Sequence, residues 1–235
     1  MKKILLLFFV VINVNSQYSK VFQPLDVFDL EYVSNTEISP NGDKVLYQRN
    51  FNDIMTDQSF SNIWLINFDG SGNQPITTGN FKDNSPKWSN KGDKFIFKSN
   101  RNGKQQIFLF DLSNNSIQKL TNFQYSFGSL RWSPDDKYIL FSSFVDDKRK
   151  KLIKMPEKPK GAKWNDPPIE ISDLNYKYDS SGFRKPGETQ FFTLPVSGGT
   201  PRQISNIPSE KRAGQGEWID SNKIVFSANL NEDSD

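Results

Sequence analysis

One ten-residue phrase recurs along the chain, and its spacing limits the folds open to it. Residues 38–47 read Ile-Ser-Pro-Asn-Gly-Asp-Lys-Val-Leu-Tyr, residues 88–97 Trp-Ser-Asn-Lys-Gly-Asp-Lys-Phe-Ile-Phe, and residues 132–141 Trp-Ser-Pro-Asp-Asp-Lys-Tyr-Ile-Leu-Phe. A shortened fourth copy, Trp-Ile-Asp-Ser-Asn-Lys-Ile-Val-Phe, occupies residues 218–226. Starts at 38, 88, 132 and 218 lie 50, 44 and 86 residues apart, so the last gap holds a segment inserted within one unit. A period of about 45 residues built from turns and strand formers predicts a β-propeller, one four-stranded blade per repeat. An ordinary β-sandwich also has evenly spaced turns, but it does not repeat one phrase at this period.

Each unit is internally consistent. Pro40, Gly42, Gly92 and Pro134 stand where a tight turn needs a preset or positive φ, and the Asn and Asp side chains beside them can bond their own backbone. The run after each turn (Val45 to Tyr47, Phe95 to Phe97, Tyr138 to Phe141, Ile224 to Phe226) is continuously apolar, which predicts strands covered on both faces. A third strand is expected over residues 62–68, 106–111 and 190–195. A polar or glycine turn and a short edge strand should follow each, at residues 74–77, 117–121 and 201–205. Gln, Lys, Arg and Pro in those last segments suit an outer edge that must not recruit another sheet.

The expected fold is therefore all-β, an incomplete propeller of about three and a half four-stranded blades. Its units fall at residues 36–80, 81–123, 124–207 with an insertion at 146–168, and an unfinished 208–235, after a lead-in segment at 17–35. Propellers close with about four to eight blades. These 235 residues are accordingly expected to be the N-terminal part of a longer protein or a truncated gene product, with ring closure by oligomerisation as the alternative.

Residues 1–16 read as a cleavable secretion signal: Lys2 and Lys3, the apolar stretch 4–12, then Val14-Asn15-Ser16 before Gln17. The stretch is shorter than the about 20 residues of a membrane span, so no membrane association is expected after cleavage. The chain contains no cysteine, which removes both a lipoprotein attachment site and a disulfide framework.

Net charge is +3, two units of it from Lys2 and Lys3, so total charge implies no nucleic-acid partner. A basic cluster, Lys148-Arg149-Lys150-Lys151 with Lys154, Lys158, Lys160 and Lys163, could meet phosphate or an acidic partner. The neighbouring Pro156, Pro159, Gly161, Pro167 and Pro168 favour a solvated connection within the third blade.

Histidine is absent, so the imidazole of a Ser-His-Asp triad cannot come from these residues. No Gly-x-Ser-x-Gly elbow, His/Cys zinc spacing or glycine-rich phosphate loop occurs. Asp135-Asp136 and Asp146-Asp147 could bind calcium but sit in turn contexts, where such pairs are usually solvated. No catalytic, cofactor-binding or metal-binding residue is assigned, no cofactor is expected, and substrate-binding residues stay unassigned.

Residues 24–34 leading into 38–42 look like the start of secreted prolyl oligopeptidase-family serine peptidases, the group of dipeptidyl-peptidase and acylaminoacyl-peptidase types. Residues 49–57 followed by 61–65 are similar to a longer phrase in one bacterial branch of that family. Residues 173–183 resemble the strand after the inserted loop in that branch, and residues 195–204 its next hairpin. The Ser-Pro-x-Gly-Lys turns alone are less specific, since the periplasmic TolB propeller carries them too.

This resemblance implies a seven- or eight-bladed propeller capping a C-terminal α/β-hydrolase that bears the serine, aspartate and histidine. The implied partners are that missing hydrolase domain, the remaining blades, and a peptide substrate of the parent enzyme. The expected function is the substrate-gating propeller of a secreted or periplasmic peptidase cleaving short peptides, non-catalytic in this fragment. The alternative is a non-enzymatic TolB-like propeller that scaffolds protein partners. Arg49 is a substrate-clamp candidate only by its place in the specific phrase, with a structural salt bridge the preferred reading.

Overall fold

The computed structural model describes residues 21–146, 156–165, 168, 171, 176–179, 182–183, 186–208 and 211–229. A 3₁₀ turn over Pro24–Asp29 leads into sixteen strands among the described residues. The first sheet is the meander β1 (Tyr32–Ile38), β2 (Lys44–Asp53), β3 (Gln58–Asn67) and β4 (Gln74–Pro75), and the second is β5 (Asn84–Trp88), β6 (Lys94–Ser99), β7 (Gln106–Asp111) and β8 (Ser116–Lys119). The third pairs β9 (Leu130–Trp132), β10 (Tyr138–Asp146), β13 (Gly187–Pro195) and β14 (Arg202–Gln203). Between β10 and β13 the described residues include a small hairpin, β11 (Lys177–Tyr178) with β12 (Gly182–Phe183), which occupies part of the strand expected over 173–183. β15 (Arg212–Asp220) and β16 (Lys223–Asn229) form a two-stranded sheet. Neighbouring strands within every sheet are antiparallel.

The sheets stack as successive blades, and their first strands meet in sequence: β1 touches β5, β5 touches β9, and β9 touches β15. These innermost strands therefore share one side of the stack, the geometry of strands around an axis. Three cores fill the spaces between blades. Leu46, Ile63 and Leu65 of the first blade pack with Trp88, Phe95, Phe97, Phe108 and Phe110 of the second. A larger cluster joins Ile96, Ile107 and Leu109 to Leu130, Trp132, Ile139, Phe141, Phe192 and Leu194 of the third. Leu140, Phe191 and Ile207 then meet Trp218, Ile224 and the flanking alanines of the fourth sheet.

This stacking explains the continuous apolar runs. Phe95, Ile96 and Phe97 are all 0% exposed, because alternate side chains enter different inter-blade cores. Each contributes about 1.5–3 kcal/mol by leaving water. At the two outermost sheets the same run is covered on one face only. Ile38 pairs with Val45, one position out of phase with the buried Leu46, and is 60% exposed; Val225 is 52% exposed beside the half-buried Ile224.

The recurrent turns owe their shape to a buried serine. Ser39 Oγ donates to Asp43 Oδ1 at 2.9 Å and accepts from the Lys44 N–H at 2.9 Å, while its backbone N–H reaches the Lys44 carbonyl at 2.8 Å. Ser89 repeats the pattern with Asp93 and Lys94, and Ser133 with Asp135 and Tyr138. Gly42 (φ 76°) and Gly92 (φ 72°) supply the left-handed residue, and Asp136 (φ 56°) takes that role in the third copy.

Candidate functional site

Antiparallel meanders place loops at two ends of the stack. The phrase turns share one end, where Asp136 of the third blade accepts hydrogen bonds from the Asn90 N–H (2.8 Å), Asn90 Nδ2 (2.7 Å) and the Lys91 N–H (3.1 Å) of the second. Asp135 is held by Ser133 and Lys137, which keep its carboxyl below the usual aspartate range. Both carboxylates thus serve turn geometry, half-buried and hydrogen-bonded. Asp146 closes β10, and Asp147 lies outside the described residues.

The other end carries the β2–β3, β6–β7 and β10–β13 connections together with the linkers between blades. There Arg101 donates from Nη2 to Asp83 Oδ2 at 2.7 Å and from Nε to Ser99 Oγ at 3.0 Å. Its guanidinium also lies 5.2–5.5 Å from the ring centroids of Phe81, Phe97 and Phe108. Asp83 is 0% exposed, and its Oδ1 has no hydrogen-bond partner among the described residues. A cation held by three ring faces and a carboxylate is a rigid strut. It fixes the β6–β7 loop against the linker entering β5. Of the basic cluster, Lys158, Lys160 and Lys163 are exposed on the β10–β13 connection; Lys148, Arg149, Lys150, Lys151 and Lys154 lie outside the described residues.

Along the innermost strands, the residue just before each phrase carries a charge: Glu37, Lys87, Arg131 and Glu217. Lys87 of the second blade pairs with Glu37 of the first, and Arg131 Nε of the third donates to Glu217 Oε1 of the fourth at 2.7 Å. Partial burial and the Arg131 guanidinium push the Lys87 ammonium below the ordinary lysine range, with Glu217 acting oppositely. Lys98, half-buried beside the Phe127 and Gly128 carbonyls, is lowered by desolvation alone. The axial wall thus bears charges that close on one another between blades. No signal in the repeat marked this position beforehand except its constant place before the first residue of the phrase, Ile38 or tryptophan.

Arg49 is not aimed at open space. Nε and Nη2 both donate to Glu31, at 2.8 and 2.5 Å to Oε2, and the guanidinium lies 4.9 Å from the Trp64 ring centroid. The preferred salt-bridge reading describes this residue, and a clamp role would require breaking a bidentate pair.

Two tryptophans of the phrase tie consecutive blades. Trp88 Nε1 donates to the Glu37 carbonyl at 3.1 Å and Trp132 Nε1 to the Lys87 carbonyl at 2.9 Å. The same register step recurs, as expected of one repeating unit. The description of the TolB beta propeller domain matches residues 37–162. The chain belongs to that family.

The propeller is 26% identical over 221 residues to the "Uncharacterized peptidase YuxL" of Bacillus subtilis (strain 168), covering 89% of this chain and 31% of the relative. It is 27% identical over 116 residues to Dipeptidyl-peptidase 5 of Porphyromonas gingivalis, covering 49% of this chain and 17% of the relative. It therefore spans less than a third of the length of these curated relatives. Among solved structures it superposes on an acylaminoacyl peptidase of Pyrococcus horikoshii with a TM-score of 0.64 at 19% identity, over 85% of this chain and 28% of the other. TolB from Acinetobacter baumannii gives 0.51 at 17% identity, over 83% and 37%. At these identities the structural likeness is one of fold. The expected membership in the propeller region of peptidase-family proteins is borne out, as is the expected open, four-stranded-blade architecture.

Proposed function

We propose that this propeller is the substrate-gating part of a serine peptidase of the prolyl oligopeptidase family that acts on short peptides. The observation that carries the reading is the 26% identity to a peptidase across 89% of the chain. These residues contain no histidine, so the imidazole of the parent enzyme's triad would come from elsewhere, in keeping with the C-terminal α/β-hydrolase that the resemblance implies. The physical contribution of stacked blades to such an enzyme is exclusion. Close-packed inter-blade cores and an axial wall of paired charges form a rigid barrier that keeps folded proteins and bulk water from a covered reaction centre. Residues 1–16 would direct export to the periplasm or the medium.

Sequencing the gene beyond residue 235 tests the reading. A Gly-x-Ser-x-Gly elbow followed by an aspartate and a histidine supports it. Further blades followed by a stop codon would instead favour a non-enzymatic scaffolding propeller of TolB type, to which the similarity of fold also points. The isolated chain should hydrolyse neither aminoacyl nor dipeptidyl chromogenic substrates, and hydrolysis sensitive to a serine-directed inhibitor would refute the placement of the triad.

A further inference from the structure

A cavity of about 510 Å³ lies between the Pro24–Asp29 turn and the outer end of the β2–β3 hairpin, closed on one side by Asn80 of the linker to β5. Leu25, Phe28, Phe51 and Ile54 form its apolar surface, with Leu25 66% and Ile54 56% exposed. Its walls are fixed from within. Asn52 Nδ2 donates to the Val27 carbonyl at 2.9 Å, which ties the turn to β2, and Asp53 accepts from the Met55 N–H and Thr56 Oγ1, which shapes the hairpin tip. The groove is therefore held by the fold and does not need a ligand to form.

Its charge is one-sided among the described residues. Asp26, Asp29 and Asp53 border it, no described lysine or arginine lines it, and neither Asp29 nor Asp53 forms an ion pair among those residues. Asp29 makes no hydrogen bond among those residues, so its full charge faces the groove mouth uncompensated. An apolar floor beside unpaired carboxylates is complementary to one kind of group: a cationic side chain with an apolar neighbour. We propose that this groove is a docking site for a peptide segment of a partner protein, seating an apolar side chain against Phe28 and Phe51 and a lysine or arginine against Asp29. The inference does not depend on whether the propeller serves a peptidase or a scaffold.

The test uses the full chain, ¹⁵N-labelled, titrated with acetyl-Leu-Lys-Leu-amide and separately with acetyl-Leu-Glu-Leu-amide. The expected result is saturable shifts of the Asp29, Asn52, Ile54 and Asn80 amides with the lysine probe alone. Affinity should fall about threefold in Asp29→Asn, the order expected for one exposed ion pair, and should fall with rising salt. Asp29 is on the surface, so this variant is expected to fold, and Leu25→Ser provides a second, charge-neutral weakening. No saturation, equal response to the glutamate probe, or unchanged affinity in Asp29→Asn would overturn the proposal. So would binding that arises only after residues 1–20 are removed, since the groove would then belong to the chain's own N-terminal stretch.

Discussion

Ser39, Ser89 and Ser133 are small, polar and buried, and each satisfies backbone groups that the turn would otherwise strand. Ser89→Ala should cost about 1–2 kcal/mol, because the Lys94 N–H and Asp93 both lose a partner, whereas Ser116→Ala on the exposed edge should change little. Urea titration of the two variants checks this. Asp111 gives a pH signature. Hydrogen bonds from Lys94 and Ser113 lower its carboxyl to about 2, below the ~3.9 of an unfolded chain. Its stabilisation is complete above the unfolded value and is lost as pH falls toward about 2. The urea midpoint should drop between about pH 5 and 2, and Asp111→Asn should make that drop shallower. At this scale the sequence was partly readable. The turn glycines were evident from steric need, but the serine's role was not, since a serine in a polar turn ordinarily faces water and only the stacked blade beside it makes it a buried acceptor.

Each blade's third strand carries an amide side chain that reaches across to the linker beyond the edge strand. Gln106 Oε1 accepts from Thr121 Oγ1 and the Phe123 N–H, and its Nε2 donates to the Phe123 carbonyl. Gln190 does the same with Ser205 and Ile207. Asn62, one methylene shorter, donates to the Gly79 carbonyl. These bonds complete the edge where β8 and β14 end, and they set the direction in which the chain leaves for the next blade. Gln190→Ala should destabilise by about 2–4 kcal/mol through three lost partners, and hydrogen exchange at the Ile207 amide should accelerate more than at Phe95 in the distant second blade. The expected strands matched because their apolar runs and turns are local features. The glutamine bridge was hidden because its partners are 15 to 17 residues away and the hairpin must fold before they meet. Likewise, the β11–β12 hairpin follows from no repeat, since it belongs to the one unit that departs from the period.

Taken whole, the stack presents two sheet faces that no described blade covers. Val33 and Ile38 stand exposed on the first, and Ile219 and Val225 on the last. Apolar faces and strand edges of this kind associate. Concentration-dependent light scattering should reveal self-association of the chain, and the pair Ile38→Lys with Val225→Lys should reduce it without loss of the antiparallel-strand signal in circular dichroism. Trp132→Phe probes the interior instead: removing the indole N–H that reaches the Lys87 carbonyl should cost about 1–3 kcal/mol in thermal unfolding. The radial architecture was legible from the phrase period, whereas the paired axial charges were not, because neighbours around an axis are 40 or more residues apart in the chain. The tryptophan bonds run in one sense: the donor sits on the later blade and the acceptor on the earlier one. A polypeptide leaving the ribosome amino end first therefore presents each of these two docking carbonyls before the indole that seeks it, so a newly made blade finds its seat already waiting on its predecessor.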